Sequence, residues 1–241
     1  VFGQAYNLVG DAVQVGQECY VMTEEEQWEN SAIWYNDPID IAEPFNLQFL
    51  MRFGDNDVDG ADGMVFVMQQ VGNDALGIAG GGIGFEGFAP SLGVEFDTWA
   101  NPETFDPSYD HMAILLDGNS NHNAPGNFAG PVQISAFSDN VEDDAQYVMD
   151  IEWEPSTNQF SVFVNCEQRL SVTIDLAATV FSNNTPIYWG FTAATGGKFN
   201  VQQICLDPFI LGIHDEYDTC PGVPISLVEP STSIGRVSWE P

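Results

Sequence analysis

The sequence predicts an all-β domain in which two sheets pack face to face, as in a β-sandwich or jelly roll. Three observations support this prediction. Many short segments alternate apolar and polar residues or are continuously apolar, as strands do. Turn-forming residues separate these segments at regular intervals. No amphipathic helix longer than two turns is evident, and many short strands are typical of sandwiches.

The predicted strands follow one another along most of the chain. Residues 45–53 alternate, although Leu50 places an apolar side chain on the other face, and residues 64–68 form a short apolar run. Residues 94–99 and 111–116 predict the next two strands. The segments 147–153 and 159–165 flank the polar sequence EPSTN, which is typical of a hairpin. Residues 170–176, 187–192 and 201–206 complete the pattern.

The composition limits both the size of the core and the class of partner. The chain has 241 residues, of which 44% are hydrophobic, so it can bury a sizeable core. It carries 36 acidic residues against 4 basic ones, a formal net charge of −32. Nucleic-acid binding needs a basic surface and is disfavoured, and no apolar segment approaches the ~20 residues of a membrane span. The acidity favours solubility, affinity for cations such as Ca²⁺, or both.

The sequence allows two interpretations of the four cysteines and two interpretations of the C-terminal segment. Cys19, Cys166, Cys205 and Cys220 form no Cys-x-x-Cys pair, so they indicate two disulfides of a secreted protein or buried thiols, with the pairing undetermined. Residues 211–241 are expected to be a linker and the truncated start of an immunoglobulin-like or PKD-like module, of the kind found in large bacterial surface proteins. The alternative is a C-terminal strand that docks on the main sandwich.

The segment VEFDTWANPETFDPSYDH, residues 94–111, concentrates metal-ligand residue types. Glu95 and Asp97 lie two apart on a predicted strand and therefore project from the same face. Two adjacent carboxylates repel each other unless a cation lies between them, and Asn101, Asp106 and His111 follow in the adjoining loop. Oxygen ligands suit Ca²⁺, and carboxylates with one imidazole suit Mn²⁺. The alternative is a row of solvated acids on an exposed strand.

This pattern of ligands resembles the metal-binding segment of the L-type, or legume-type, lectins, including the Asp-Pro-Ser-Tyr stretch at 106–109. Three other segments occur in the order that this family requires. Ala61-Asp62-Gly63 and the apolar run after it are similar to the first sugar-binding loop, and GFTAATGG at 190–197 is similar to the last. GGGIG at 80–84 resembles the family's glycine loop. The resemblance covers residues 1–210.

The resemblance implies a concanavalin A-like β-sandwich with a flat back sheet and a curved front sheet, and a centre for two metal ions. The transition-metal ion, Mn²⁺ or another divalent ion, would be held by Glu95, Asp97, Asp106 and His111. The Ca²⁺ ion would be held by Asp97, the Trp99 carbonyl, Asn101 and Asp106.

The resemblance also implies a carbohydrate site beside these ions. Asp62 would follow a cis peptide bond and accept hydrogen bonds from two sugar hydroxyls. Asn101 would donate its amide, Gly81 would donate its backbone N–H, and Trp99 would offer its ring face. The outer wall would be formed by Gly197 and by Lys198, the only lysine of the chain. The alternative for Lys198 is a solvated side chain.

Three other interpretations of the sequence compete with this one. Asp55, Asp57 and Asp59 begin an EF-hand-like string, but position 66, where the loop requires Glu, is Phe66. The string is interpreted as an acidic loop that leads into Asp62, with an accessory Ca²⁺ site as the alternative. A glycoside hydrolase would need a second carboxylate in register beyond Glu95 and Asp97, and position 100 is an alanine; neither His122 nor His214 has an evident nucleophile partner. A metal-stabilised spacer in an adhesin, with residues 117–127 as a protein-contact loop, is the remaining alternative.

The function predicted from the sequence is non-catalytic, Ca²⁺-dependent binding of glycans. The chain is expected to be a bacterial lectin domain from a larger secreted or cell-surface protein, next to other modules of the same chain. The sugar itself is not predicted, because the shape of the loops decides which arrangement of hydroxyls fits.

Overall fold

The computed structural model describes residues 6–16 and 18–206 and shows two antiparallel β-sheets packed face to face. The eight-stranded sheet has the order β1 (Tyr6–Gly10), β4 (Asn30–Tyr35), β14 (Pro186–Ala194), β7 (Gly63–Gln69), β8 (Ser91–Asp97), β9 (His111–Leu116), β10 (Asn127–Gln133), and β5 (Ile39–Asp40) pairs with β14. The seven-stranded sheet has the order β13 (Glu167–Thr173), β12 (Gln159–Val164), β11 (Tyr147–Glu154), β6 (Phe45–Arg52), β15 (Gln202–Cys205), β3 (Cys19–Thr23), β2 (Val13–Gln14). The predicted all-β sandwich is confirmed.

Helical structure in the described part of the chain is confined to single turns. One is a 3-10 turn at Gly80–Gly82, and the other is α1 (Leu176–Thr179). The predicted strand 170–176 ends earlier than expected, at Thr173, because Asp175 caps α1: its side chain accepts a hydrogen bond from Ala178 N at 2.9 Å. The predicted strand 94–99 likewise ends at Asp97, where the chain turns into the loop 98–110.

The main core lies between the two sheets and is rich in aromatic side chains. Phe49 of β6 meets Phe191 of β14 at a centroid distance of 4.7 Å, and Phe66 of β7 lies 5.6 Å from Phe191. The alternation of β6 points Phe49 and Met51 inward, while Leu50 is only partly buried. Burial of these rings supplies much of the stabilisation, since each aromatic side chain removes ~150–250 Å² from water.

A second, smaller core covers the outer face of the eight-stranded sheet. Val65 and Val67 of β7 pack there against Ile83 and Phe85, which follow the 3-10 turn. Strand β7 is therefore buried on both faces, which explains why its sequence is continuously apolar rather than alternating. The glycine-rich segment is thereby fixed on the face of the sheet that also carries the acidic residues.

The cysteine pairing that the sequence left open is resolved for one pair. Cys19 of β3 and Cys205 of β15 lie opposite each other on adjacent strands and form a disulfide. Among the described residues, no helix combines the length and apolar character that a membrane crossing requires. Residues 211–241, for which a linker and a following module are predicted, lie outside the described part of the chain.

Candidate functional site

Strand register brings the predicted metal ligands onto one face of the eight-stranded sheet. Asp97 of β8 pairs with His111 of β9, and Glu95 pairs with Ala113 of the outer core. Val94 and Phe96, which alternate with the acids, enter the main core. Glu95 and Asp97 are each 2% exposed, so the alternative of solvated acids on an exposed strand is wrong.

The loop 98–110 is folded around its own acids. The Trp99 N–H donates to Asp97 Oδ1 at 2.7 Å, and the Asn101 N–H donates to Asp106 Oδ2 at 2.7 Å. The hydroxyl of Thr104 donates to Asp106 Oδ1 at 2.8 Å. These bonds hold the Asp106 side chain close to the end of β8. The four predicted ligands therefore lie close together: Glu95, Asp97, Asp106 and His111.

A residue without a predicted role, His122, joins this group. Its Nε2 lies 2.9 Å from His111 Nε2, 3.3 Å from Asp106 Oδ1 and 3.4 Å from Glu95 Oε2. His111 Nε2 lies 3.7 Å from Glu95 Oε2 and 3.9 Å from Asp106 Oδ1. We call these five residues the ligand cluster: Glu95, Asp97, Asp106, His111 and His122. His122 could not be predicted as a member of this group, because it lies in an asparagine-rich loop and no sequence spacing links it to β8.

Burial and mutual repulsion make the carboxylates of the ligand cluster costly to charge. Burial raises the pKa values of Glu95 and Asp97 well above their usual range, and the charge of Asp106 raises both further. The pKa of Asp106 is lowered, although burial opposes this, by hydrogen bonds from the His122 side chain, the Asn101 N–H and Thr104. Burial lowers the pKa of His111 to about 4. The cluster is therefore short of positive charge.

The donor atoms of the ligand cluster fit divalent cations. His, Asp and Glu side chains form two overlapping groups in which the candidate ligand atoms lie within 4.8 Å of one another: Glu95 with His111 and His122, and Asp97 with Asp106 and His111. Glu95 Oε2 and Asn101 Oδ1 are buried, and no described residue forms a hydrogen bond with either oxygen. Buried polar atoms are normally paired, so these oxygens are available to cations.

A cavity of about 350 Å³ opens beside the ligand cluster. All six predicted sugar-contacting residues line it, together with three that were not predicted. The predicted set is Asp62, Gly81, Trp99, Asn101, Gly197 and Lys198, and the additional residues are Trp28, Gly80 and Gly196.

Asp62 is held at the cavity by the strands on either side of it. The Ala61–Asp62 peptide bond is cis, as the resemblance implied. The Asp62 N–H donates to Ala194 O at 3.0 Å, and its carbonyl accepts from Thr98 N at 3.0 Å. Asp62 is 4% exposed, and its Oδ2 atom has no hydrogen-bond partner in residues 6–16 and 18–206. Burial raises the pKa of this carboxyl to about 7.

One wall of the cavity comes from the loop between β3 and β4. The Trp28 N–H donates to Gly196 O at 3.2 Å, and Gln27 Nε2 donates to Gly197 O at 2.9 Å. These bonds fix the loop to the segment after β14, about 170 residues away in sequence. The Trp28 side chain is 68% exposed at the cavity, which leaves an aromatic face in contact with water.

Lys198 is neither free nor simply solvated. It lines the cavity and forms an ion pair with Asp59, a member of the EF-hand-like acidic string. Asp55, Asp57 and Asp59 are all exposed, and within the described ranges they do not contribute to a group of candidate metal ligands. Asp59 of the acidic string is therefore the ion-pair partner of Lys198, a residue of the cavity wall.

The cavity does not have the pair of carboxylates that glycoside hydrolysis requires. Two carboxyl groups must flank the scissile bond. Of the described residues that line the cavity, Asp62 is the one carboxylate, and Glu95 and Asp97 lie buried beneath it in the ligand cluster.

The model of the family described as legume lectin beta-barrel domain matches residues 1–208. Solved structures with a similar fold include peanut lectin with a nine-residue peptide (22% identity, TM-score 0.69). That match covers 85% of this chain and 90% of the peanut lectin chain. The match to a lectin from Bauhinia forficata in complex with GalNAc (19% identity, TM-score 0.65) covers 84% of this chain and 90% of that lectin. The match to the exoplasmic/lumenal domain of VIP36, in a Ca²⁺/Man3GlcNAc-bound form (14% identity, TM-score 0.63), covers 94% of this chain and 92% of that domain. At these identities the structural likeness shows the fold, and the family match covers most of the chain. The chain therefore belongs to the legume lectin β-barrel domain family, a family of non-enzymatic, carbohydrate-binding proteins.

Proposed function

We propose that the chain binds glycans reversibly in the 350 Å³ cavity, and that binding depends on Ca²⁺ and a second divalent ion in the ligand cluster. One observation carries the proposal: Asp62 Oδ2 is buried at the cavity and has no hydrogen-bond partner among the described residues. A buried carboxylate oxygen without a donor is costly, and sugar hydroxyls are donors of suitable size. The unpaired acceptor therefore fits a polyhydroxylated ligand.

The other residues of the cavity suit the same ligand. The Gly81 backbone can donate its N–H, and the absence of a side chain there lets a sugar approach closely. The indole faces of Trp28 and Trp99 suit the C–H surface of a pyranose ring. Lys198, held by Asp59, and the exposed Gly197 form the outer wall, where selectivity among sugars is expected to arise.

The metal ions would act on the site through the loop 98–110. Glu95, Asp97, Asp106 and His111 would hold the transition-metal ion, and Asp97, the Trp99 carbonyl, Asn101 and Asp106 would hold Ca²⁺. When bound, the ions supply the positive charge that the buried carboxylates lack. Trp99 and Asn101 line the cavity from the same loop, so fixing this loop organises the sugar site.

We also propose an extracellular location, on a secreted or cell-surface protein. The Cys19–Cys205 disulfide supports it, because disulfides persist in oxidising compartments. A bacterial origin, and residues 211–241 as a linker with the start of a following module, remain part of this proposal. Repeated modules would raise the avidity of a shallow single site.

Isothermal titration calorimetry tests the function with Asp62→Asn. The panel contains mannose, glucose, galactose, fucose and N-acetylglucosamine, with short oligomers, in buffer containing Ca²⁺ and Mn²⁺. Wild type should bind at least one sugar. Asp62→Asn should weaken that binding at least about tenfold, since a hydrogen bond to a charged group contributes ~1.5–3 kcal/mol.

Asp37→Asn is the matched control, because it removes the same charge from an exposed residue outside the cavity. Equal affinity in wild type and Asp62→Asn would contradict the proposed site. Absence of binding to every glycan, with metal-dependent thermal stability retained, would favour the adhesin spacer instead.

A further inference from the structure

The asparagine-rich loop 117–127 carries His122 into the ligand cluster. The His122 N–H donates to Thr104 O at 2.9 Å, and Asn127 Nδ2 donates to His122 O at 2.9 Å. Within the loop, the side chains of Asn119 and Asn121 each accept from the backbone N–H two residues further on. Such turns are a common use of asparagine. Here they hold His122 against the loop 98–110.

Four ligand-type atoms converge around one point. They are Glu95 Oε2, Asp106 Oδ1, His111 Nε2 and His122 Nε2. The five measured distances that involve an imidazole nitrogen lie between 2.9 and 3.9 Å. Ligands bonded at ~2.1 Å to one ion are about 3.0 Å apart at right angles and about 3.4 Å apart at the tetrahedral angle. Three of the five distances, 2.9, 3.3 and 3.4 Å, lie in or close to this range, and the other two, 3.7 and 3.9 Å, correspond to wider angles at the ion. The two imidazole nitrogens and the two carboxylate oxygens can therefore share a single ion.

An unpaired buried oxygen supports an ion at this point. Glu95 Oε2 faces both imidazoles, yet it has no hydrogen-bond partner within the described part of the chain, and Glu95 is 2% exposed. The His122 side chain is itself 2% exposed. Both Nε2 atoms point toward the same carboxylates, as metal-ligating imidazoles do, rather than toward solvent.

We propose that His122 Nε2 is a direct ligand of the transition-metal ion, so that the site holds two imidazoles and selects Zn²⁺ over Mn²⁺. The inference rests on the proposed two-ion centre and specifies the chemistry of one of its two sites. Carboxylate and water ligands suit Mn²⁺, whereas imidazole ligands suit Zn²⁺. A second imidazole nitrogen therefore raises the affinity of the site for Zn²⁺ more than its affinity for Mn²⁺. Asp97 then remains available to bridge toward Ca²⁺.

The first test measures metal affinity on the full chain with His122→Ala. Metal-free protein is titrated with Zn²⁺ and separately with Mn²⁺ against a chromophoric chelator, with Ca²⁺ held constant. Loss of an outer partner of a ligand typically costs 10–100-fold in affinity, so loss of the ligand His122 should weaken Zn²⁺ at least about 100-fold and Mn²⁺ far less. Asn123→Ala, a change of the adjacent exposed residue, is the control and should match wild type.

A second measurement counts the nitrogen ligands directly in protein that retains His122. Cu²⁺ is bound in place of the transition ion in His214→Ala protein, so that this third histidine contributes no signal. The nitrogen superhyperfine splitting in the electron paramagnetic resonance spectrum should show two imidazoles. His122→Ala in the same background should show one.

The outcomes separate this inference from the proposed function. Two nitrogens and a Zn²⁺ preference that falls with His122→Ala support it. One nitrogen in the His214→Ala protein, with equal Zn²⁺ affinity in wild type and His122→Ala, overturns it and makes the two imidazoles a structural hydrogen-bonded pair, while sugar binding stands. Wild-type protein that takes up no transition ion at all overturns both this inference and the two-ion centre.

Discussion

At Gly81 the main chain passes so close to the Asn101 side chain that a methyl group has little room. A Cβ atom added at Gly81 would lie 3.0 Å from Asn101 Oδ1, tighter than ordinary van der Waals contact. Asn101 is a proposed ligand of Ca²⁺ and a proposed donor to the sugar. The absence of a side chain at position 81 would therefore serve the proposed site as well as the turn.

Gly81→Ala is expected to weaken sugar binding at least about tenfold, because the added methyl displaces the Asn101 amide and fills space at the cavity floor. The melting temperature should change little. Gly16→Ala is the matched control, since a Cβ there would meet only the Cys19 Cβ, at 3.6 Å. Calorimetry with the best sugar of the panel provides the measurement, and unchanged affinity in Gly81→Ala would remove Gly81 from the site.

Individual residues of the site were predictable to different degrees. Glu95 and Asp97 could be predicted to project from the same face of a strand, because the residues around them alternate. Asp62 could be predicted from the short motif in which it lies. Trp28 and His122 lie in loops, and their positions depend on contacts between segments far apart in sequence, such as Gln27 with Gly197. No local pattern encodes such contacts, so both residues emerged only from the three-dimensional structure.

The loop that joins β6 to β7 rests on a buried carboxyl group from another part of the chain. Asn200 Nδ2 donates to Glu142 Oε1 at 2.7 Å, and a Cβ at Gly60 would lie 1.8 Å from the same oxygen. The pKa of Glu142 is raised to about 8, chiefly by burial and also by the charges of Asp110 and Asp57, against the lowering effect of the Asn200 hydrogen bond. This loop leads directly into Asp62.

The sign of the pH effect follows from the direction of this shift. Glu142 keeps its proton in the folded state over a pH range in which the unfolded chain, with a pKa near 4.5, has lost it. The stability from this group is therefore full below about pH 4.5 and is lost as the pH rises through 8. In metal-free protein at pH 9, Glu142→Gln should raise the melting temperature by at least about 2 °C relative to wild type.

Scanning calorimetry from pH 5 to pH 9 provides that measurement. The difference between wild type and Glu142→Gln should be small at pH 5 and should grow with pH. Glu43→Gln controls for the change in net charge, because Glu43 is exposed. A difference that is the same at both ends of the range would show that Glu142 does not titrate with a raised pKa.

Strands were predictable where their side chains alternate or form a short apolar run between turns, as in β6, β7 and the hairpin of β11 and β12. Strands β1, β2, β3, β4, β5 and β10 were not predicted. Strand β10 reads NFAGPVQ and includes Gly130 and Pro131, residues that weaken a strand signal. It forms nonetheless as the edge of its sheet, where pairing with β9 has two register shifts.

At the scale of the whole molecule, a formal charge of −32 coexists with a fully packed core. The most costly charges are the few carboxylates that strand pairing and the loop 98–110 force together beneath the cavity. The overall charge was evident from composition, whereas the ligand cluster depends on the pairing of β8 with β9 and on the position of two loops. Under the proposed function, bound cations would offset this concentration of buried acid.

The central claim is that cations in the ligand cluster organise the sugar site, and removing them tests it most directly. The best sugar of the panel is titrated calorimetrically into wild type in Ca²⁺ and a transition ion, then after EDTA and dialysis, and again after both ions are returned. We expect binding that is lost on metal removal and restored on metal return, with circular dichroism showing that the strands persist throughout. Sugar affinity unchanged in the metal-free protein would contradict the account.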